Sequence, residues 1–221
     1  MIERYALYET QNLTDRFQLP GGVPRGVKQR YNISPTQAAP VIVVHGGMRT
    51  MQLMRWGFVP QGARDMNSVF RYKTFNVRSE DVFKKATWDK AVRTQRCIVP
   101  ANGFYMWRAH TDGKQPFYVE GPTPIMAFAG MYGTWINPDG DTQGMFTLLT
   151  VPSSEDLPGF TSRSPILLDT NDKMTAWLDP DNNDATSLYD GMRTPDAGSL
   201  RVRAVGEAVN SVKADGPTLI T

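Results

Sequence analysis

Sixteen prolines and nineteen glycines are scattered along the 221 residues, and this punctuation constrains the chain more than any other feature. Proline removes an amide donor and glycine costs backbone entropy inside regular elements, so the spacing favours short strands joined by turns over long helices. The apolar pattern agrees. Residues 3–8 alternate polar and apolar as a first strand, and two apolar runs at 41–45 and 50–56 flank His45-Gly46-Gly47 as a hairpin. Strand-like runs follow within 96–109, 114–121, 124–135, 144–152 and 200–206.

Helical signals are fewer. Residues 10–17 read as a short helix capped by Thr10, and 171–178 as another capped by Asn171 or Asp172. The spacing of Val82, Phe83, Trp88, Ala91 and Val92 predicts the best helix of the chain within 76–95, whereas 61–74 reads as polar and irregular. About seven strands with two or three short helices imply an α+β fold of mostly antiparallel sheets curled into a barrel-like core. No break in composition divides the chain, so 1–221 reads as a single domain.

Charge and cysteine usage exclude several classes. A net charge of +2, from 24 basic and 22 acidic residues, is short of the footprint of a protein that coats DNA; a nucleic-acid role needs a local patch. Cys97 is the only cysteine and the histidines number two, so neither an intrachain disulfide nor a metal site is expected, and no cofactor motif is present. The first residues are polar from position 3 and no apolar run approaches the ~20 residues that span a bilayer, so the expected compartment is the cytoplasm, away from membranes.

Polar residues against apolar neighbours mark the candidate chemistry. Asn76 and Arg78 stand two apart, and on an extended segment both point to one face, as an anion or sugar-phosphate site or as a helix cap. Arg4 and Arg163 are isolated basic residues beside apolar runs, a pattern equally suited to solubility. Tyr31, Trp56, Phe58, Phe104, Tyr105 and Trp107 recur near turns; aromatics at strand spacing belong mostly to the core, although interleaved with arginine they also stack bases. Cys97 lies mid-strand as a small hydrophobe, and no nucleophile motif stands out.

The order of local motifs goes further. MIERYA, YNISP, RWGFVP, FNVRSE, RCIVPANGFYMW, KQPFYV, AFAGMYGTW, FTLLT, TSRSPILL, a short helix ending in WL, and VNSVK follow one another along nearly the whole chain. In this order the chain resembles the SRAP family, the SOS response-associated peptidases or abasic-site processing proteins. The resemblance implies a groove that binds single-stranded or abasic-site DNA. It also implies a cysteine exposed by removal of the initiator Met, whose amine and thiol close a thiazolidine on the abasic aldehyde. A Glu in the family's GFYEW motif and a His in its H-RMP motif transfer protons.

This chain departs at each of those catalytic positions. The cysteine is replaced by Ile2, the Glu by Met106 and the His by Thr161, and Glu3 stands where the family has Gly. Arg4, Asn32, Trp56, Asn76, Arg78, Glu80, Thr150 and Arg163 match, a set serving scaffold and DNA contact; Arg4, Asn76, Arg78, Arg163, Trp56 and Thr150 are the expected DNA-binding residues. The resemblance therefore implies a DNA-damage protein that binds single-stranded or abasic DNA non-covalently. Two alternatives stay open: an enzyme of altered chemistry, forming a Schiff base through the N-terminal amine or keeping a peptidase-type activity, and a scaffold protein that no longer binds DNA.

Overall fold

The computed structural model describes residues 1–59, 65–111, 113–153, 157, 163–184, 187–188 and 199–221. Its strands in chain order are β1 (Tyr5–Leu7), β2 (Arg30–Ile33), β3 (Ala38–His45), β4 (Met48–Trp56), β5 (Asn76–Arg78), β6 (Arg96–Ala101), β7 (Gly103–His110), β8 (Gly113–Glu120), β9 (Met126–Ile136), β10 (Thr142–Pro152), β11 (Arg163–Pro165) and β12 (Arg201–Ala204). The α-helices whose full extent is described are α1 (Leu13–Phe17), α2 (Ser68–Tyr72), α3 (Ala86–Thr94) and α4 (Asn171–Leu178).

The expected α+β fold with a curled, barrel-like core is what forms. β10 pairs antiparallel with β9 on one side and parallel with β4 on the other, and β3 and β6 complete a closed ring between β4 and β9. Closure leaves these strands without open edges. Gly130 permits it where β9 is squeezed between its neighbours: a Cβ there would lie 2.9 Å from Cys97 Sγ and 3.0 Å from the Thr147 carbonyl oxygen. β5 and β11 add to β10 beyond the ring. A second, antiparallel sheet runs β12-β8-β7-β1-β2.

Local chemistry explains the pieces. The β3–β4 hairpin turns on Gly46 and Gly47, with φ of 58° and 76°, the pair of positive values a tight twisted turn requires. The step from the ring to the second sheet falls on Asn102, between β6 and β7. Its Oδ1 accepts the amides of Tyr8 and Glu9 (2.6 and 3.1 Å) and its Nδ2 donates to the Pro124 carbonyl (2.7 Å). Tyr5, Phe75 and Phe146 surround the buried Trp56 at centroid distances of 5.1, 6.1 and 6.3 Å.

Several expectations change. Residues 76–95 do not form one helix: Asn76–Arg78 is a strand on β10, a 3-10 turn covers Ser79–Asp81, and only Ala86–Thr94 is α-helical. Ladder bonds to β10 override the helical period, yet Val82, Ala91 and Val92 are still buried. The segment taken as irregular holds α2, whose start is tied by the Asp65 carboxylate to the amides of Asn67 and Ser68 (2.9 and 3.2 Å). Thr10 lies within a 3-10 turn and caps nothing through its side chain. The cap of α4 is Thr170, whose Oγ1 accepts the Lys173 amide at 3.2 Å, one residue earlier than expected. No helix is long and apolar enough to cross a membrane among the described residues.

Candidate nucleic-acid interface

The residues before β1 lie against β5. Ile2 is fully buried in the core, and its carbonyl oxygen accepts a 2.7 Å hydrogen bond from Nδ2 of Asn76. β5 holds Asn76 there by pairing it opposite Leu148 of β10. The other end of that amide, Oδ1, is buried with no hydrogen-bond partner. Arg4 is half-buried; its Nη1 donates to the Glu3 carbonyl at 2.7 Å, while its Nε is likewise buried and unmatched. A buried acceptor and a buried charged donor without protein partners are costly to maintain, and water or a ligand ordinarily satisfies such groups. Arg78, two residues from Asn76 on the strand, is exposed.

Arg163 has a different place from the one expected. It donates hydrogen bonds to Glu80 Oε1 and Oε2 (3.0 and 2.6 Å), Thr150 Oγ1 (3.0 Å) and the Thr150 carbonyl (2.5 Å). The Thr150 hydroxyl in turn donates to the Val77 carbonyl at 3.1 Å. Thr150 is therefore buried rather than open to a ligand, and it and Arg163 lock β5, β10 and β11 together. Trp56, also expected at the DNA, is fully buried and donates its Nε1–H to the Phe75 carbonyl at 2.8 Å; it offers no face to a base. Met106 is buried on β7 among core side chains, and Thr161 lies outside the described residues. Arg4, Asn76 and Arg78 are thus the candidate contacts among the described residues, with Arg163 and Thr150 behind them.

The electrostatics follow from this arrangement. Hydrogen bonds from Arg163 push the Glu80 carboxyl down to about 2, against burial, which raises it. The folded value lies below the ordinary 4.5, so the ionic clamp is complete above that pH and is lost as the pH falls through about 2. The stability difference between the wild type and Glu80→Gln is expected to be flat between about pH 5 and 8 and to shrink on acidification. Urea unfolding at stepped pH measures it, and a difference that persists undiminished to the acid end would show that the clamp owes nothing to charge. Burial also lowers the Met1 amine, with Glu3 opposing and Arg163 and Lys73 adding to the decrease.

Sequence reasoning passed over α2. Phe70 and Tyr72 are 51% and 59% exposed, and Arg71 and Lys73, also exposed, alternate with them directly before β5. The FRYK run itself was the signal, since interleaved aromatic and basic residues suit single strands. Among the described residues no three His, Cys, Asp or Glu side chains converge as metal ligands.

The sequence model described as SOS response associated peptidase (SRAP) matches residues 1–212. The chain belongs to the SRAP family. Abasic site processing protein YoqW of Bacillus subtilis is 31% identical over 224 residues, covering 100% of this chain and 99% of its own. Abasic site processing protein HMCES of Xenopus tropicalis is 30% identical over 178 residues, covering 67% of this chain and 53% of its own. A crystal structure of a protein from Bacteroides thetaiotaomicron shares the SRAP fold with a TM-score of 0.85 at 20% identity, over 98% of this chain and 97% of that one.

Proposed function

We propose that this SRAP protein serves in the DNA-damage response by binding single-stranded DNA, with abasic sites as the favoured lesion, and that it holds this DNA non-covalently. One observation carries the reading: Oδ1 of Asn76, whose Nδ2 holds the Ile2 carbonyl, and Nε of Arg4, two residues further along, are both buried and unmatched. A donor and an acceptor without protein partners suit a sugar opened at its anomeric carbon, and the exposed Arg78, Arg71 and Lys73 suit the flanking phosphates. A thiazolidine needs an amine and a thiol on one residue, and Ile2 has no thiol and directs its side chain into the core.

Fluorescence anisotropy with intact and abasic single-stranded oligonucleotides, titrated with salt, tests the reading. Binding is expected to weaken steeply with salt, and Asn76→Ala to weaken the abasic complex about tenfold, the equivalent of one hydrogen bond to a buried group. Arg78→Ala is expected to flatten the log–log salt slope by about 0.7, one phosphate contact on a single strand. Absence of binding at low salt to either oligonucleotide would sink the reading.

The Met1 amine favours a second reading. In a chain that begins at Met1, an amine lowered by burial and by Arg163 and Lys73 is more often neutral near pH 7. Such an amine adds to the abasic aldehyde and, with loss of water, forms a Schiff base from which strand cleavage proceeds. Borohydride reduction would leave a trapped adduct on this reading and none on the first.

A further inference from the structure

Away from the N-terminal residues, two arginines meet on one face of α4 without a counter-charge. Arg16 of α1 donates from Nε to the Ile125 carbonyl (3.3 Å) and from Nη1 to Oδ1 of Asn171 (3.4 Å), the first residue of α4. Arg49 of β4 donates from Nη1 to the Phe17 carbonyl (3.4 Å) and from Nη2 to Oγ1 of Thr175 (2.8 Å). Asn171 and Thr175 are one turn apart on the same helix face, about 5–6 Å between Cβ atoms. Phe17 is the neighbour of Arg16. The contacts therefore draw both guanidiniums to one place.

Every acceptor in this set is neutral. Among the described residues neither arginine joins an ion pair. The acids around them are committed elsewhere or solvated: Asp169 is paired with Lys173 at 2.8 Å, and Asp15 and Asp172 are exposed. Both arginines are half-buried, where a like charge costs more than in open water. Arg16 also approaches the positive end of the α4 dipole, a position that ordinarily favours an anion. Burial lowers the proton affinity of both, and for Arg16 the charge of Arg49 adds to it. Each guanidinium uses two donors on these protein contacts, so further N–H groups remain for a ligand.

We propose that Arg16 and Arg49 form a binding site for a phosphate group, either a free phosphate ion or a phosphodiester of a nucleic-acid backbone. Paired guanidinium forks match phosphate oxygens in geometry and charge, and an anion between them removes their mutual repulsion. The inference does not depend on the reading of the N-terminal residues.

Thermal unfolding in inorganic phosphate, against chloride at matched ionic strength, tests it. The wild type is expected to gain about 2–4 °C in Tm in a saturable way, the shift that moderate ligand binding gives a domain of this size. Each variant is compared with itself in chloride, so any stability the arginines give α1 and α4 cancels. Arg16→Gln or Arg49→Gln is expected to reduce the phosphate-dependent gain at least by half, and the double variant to abolish it. A short single-stranded oligonucleotide that displaces phosphate identifies the backbone as the source; failure to displace it identifies the free ion. A gain equal in the double variant and the wild type, or no difference between phosphate and chloride in the wild type, overturns the proposal.

Discussion

Arg96→Met is expected to lower the unfolding free energy by about 3–5 kcal/mol, the sum for leaving several buried carbonyl acceptors unpartnered at about 1–3 kcal/mol each. Arg96 opens β6 and is only 6% exposed. It donates from Nη1 to the carbonyls of Val92 and Arg93, at the end of α3, and from Nε and Nη2 to those of Trp177 and Asp179, at the end of α4. The last carbonyls of a helix have no partner within it and carry the negative end of its dipole. A single guanidinium thus satisfies two helix ends at once and fixes both against the barrel. Methionine fills much of the volume but leaves these acceptors orphaned, each a loss of about 1–3 kcal/mol where water cannot follow. Lysine keeps the charge yet lacks the planar fork that reaches both helices, so Arg96→Lys is expected to recover less than half of the loss. Urea unfolding measures all three proteins; a loss below about 1 kcal/mol for Arg96→Met would mean that water replaces the guanidinium freely.

What the sequence disclosed of this network was only the strand. The run RCIVP reads as an apolar strand, and the arginine that begins it looks like a residue at the edge of one. Its partners lie up to 83 positions away, and no local pattern joins them. The same limit applies to Arg163, a lone basic residue in the chain that proves to be clamped by Glu80 from 83 positions earlier. Local features fared better. Gly46-Gly47 gives the hairpin because positive φ at both positions leaves few other choices. The aromatic residues were read mostly into the core, and Trp56, Phe104 and Tyr105 are buried there. Helical periodicity predicts one helix within 76–95 because it cannot sense that β10 offers an edge for Asn76–Arg78. Motif order carried the family, since it preserves long-range information that periodicity lacks.

On the proposed reading, Ile2→Cys is expected to turn a reversible complex into a lasting one. By resemblance the family's cysteine stands at this position, and Asn76 already holds the carbonyl of residue 2. A small residue at position 2 also permits removal of the initiator Met, so that amine and thiol come to reside on the same residue. The amine condenses with the abasic aldehyde and releases water. The thiol then adds across the imine, its proton passing to nitrogen, and closes the five-membered ring. The expected result is an adduct between protein and abasic oligonucleotide that survives heating in detergent, absent from the wild type and from Ile2→Ser. The serine variant frees the amine equally well and isolates the role of sulfur. Exchanging a fully buried Ile for Cys costs about 1–2 kcal/mol of packing, which leaves a folded protein to test. Adding Met106→Glu is expected to accelerate adduct formation at least tenfold. A carboxyl at that buried place on β7 would be raised by desolvation and so stay protonated as a general acid. Ile2→Cys binding abasic DNA as tightly as the wild type but leaving no adduct would place the lesion away from residue 2, and with it the DNA path away from Asn76.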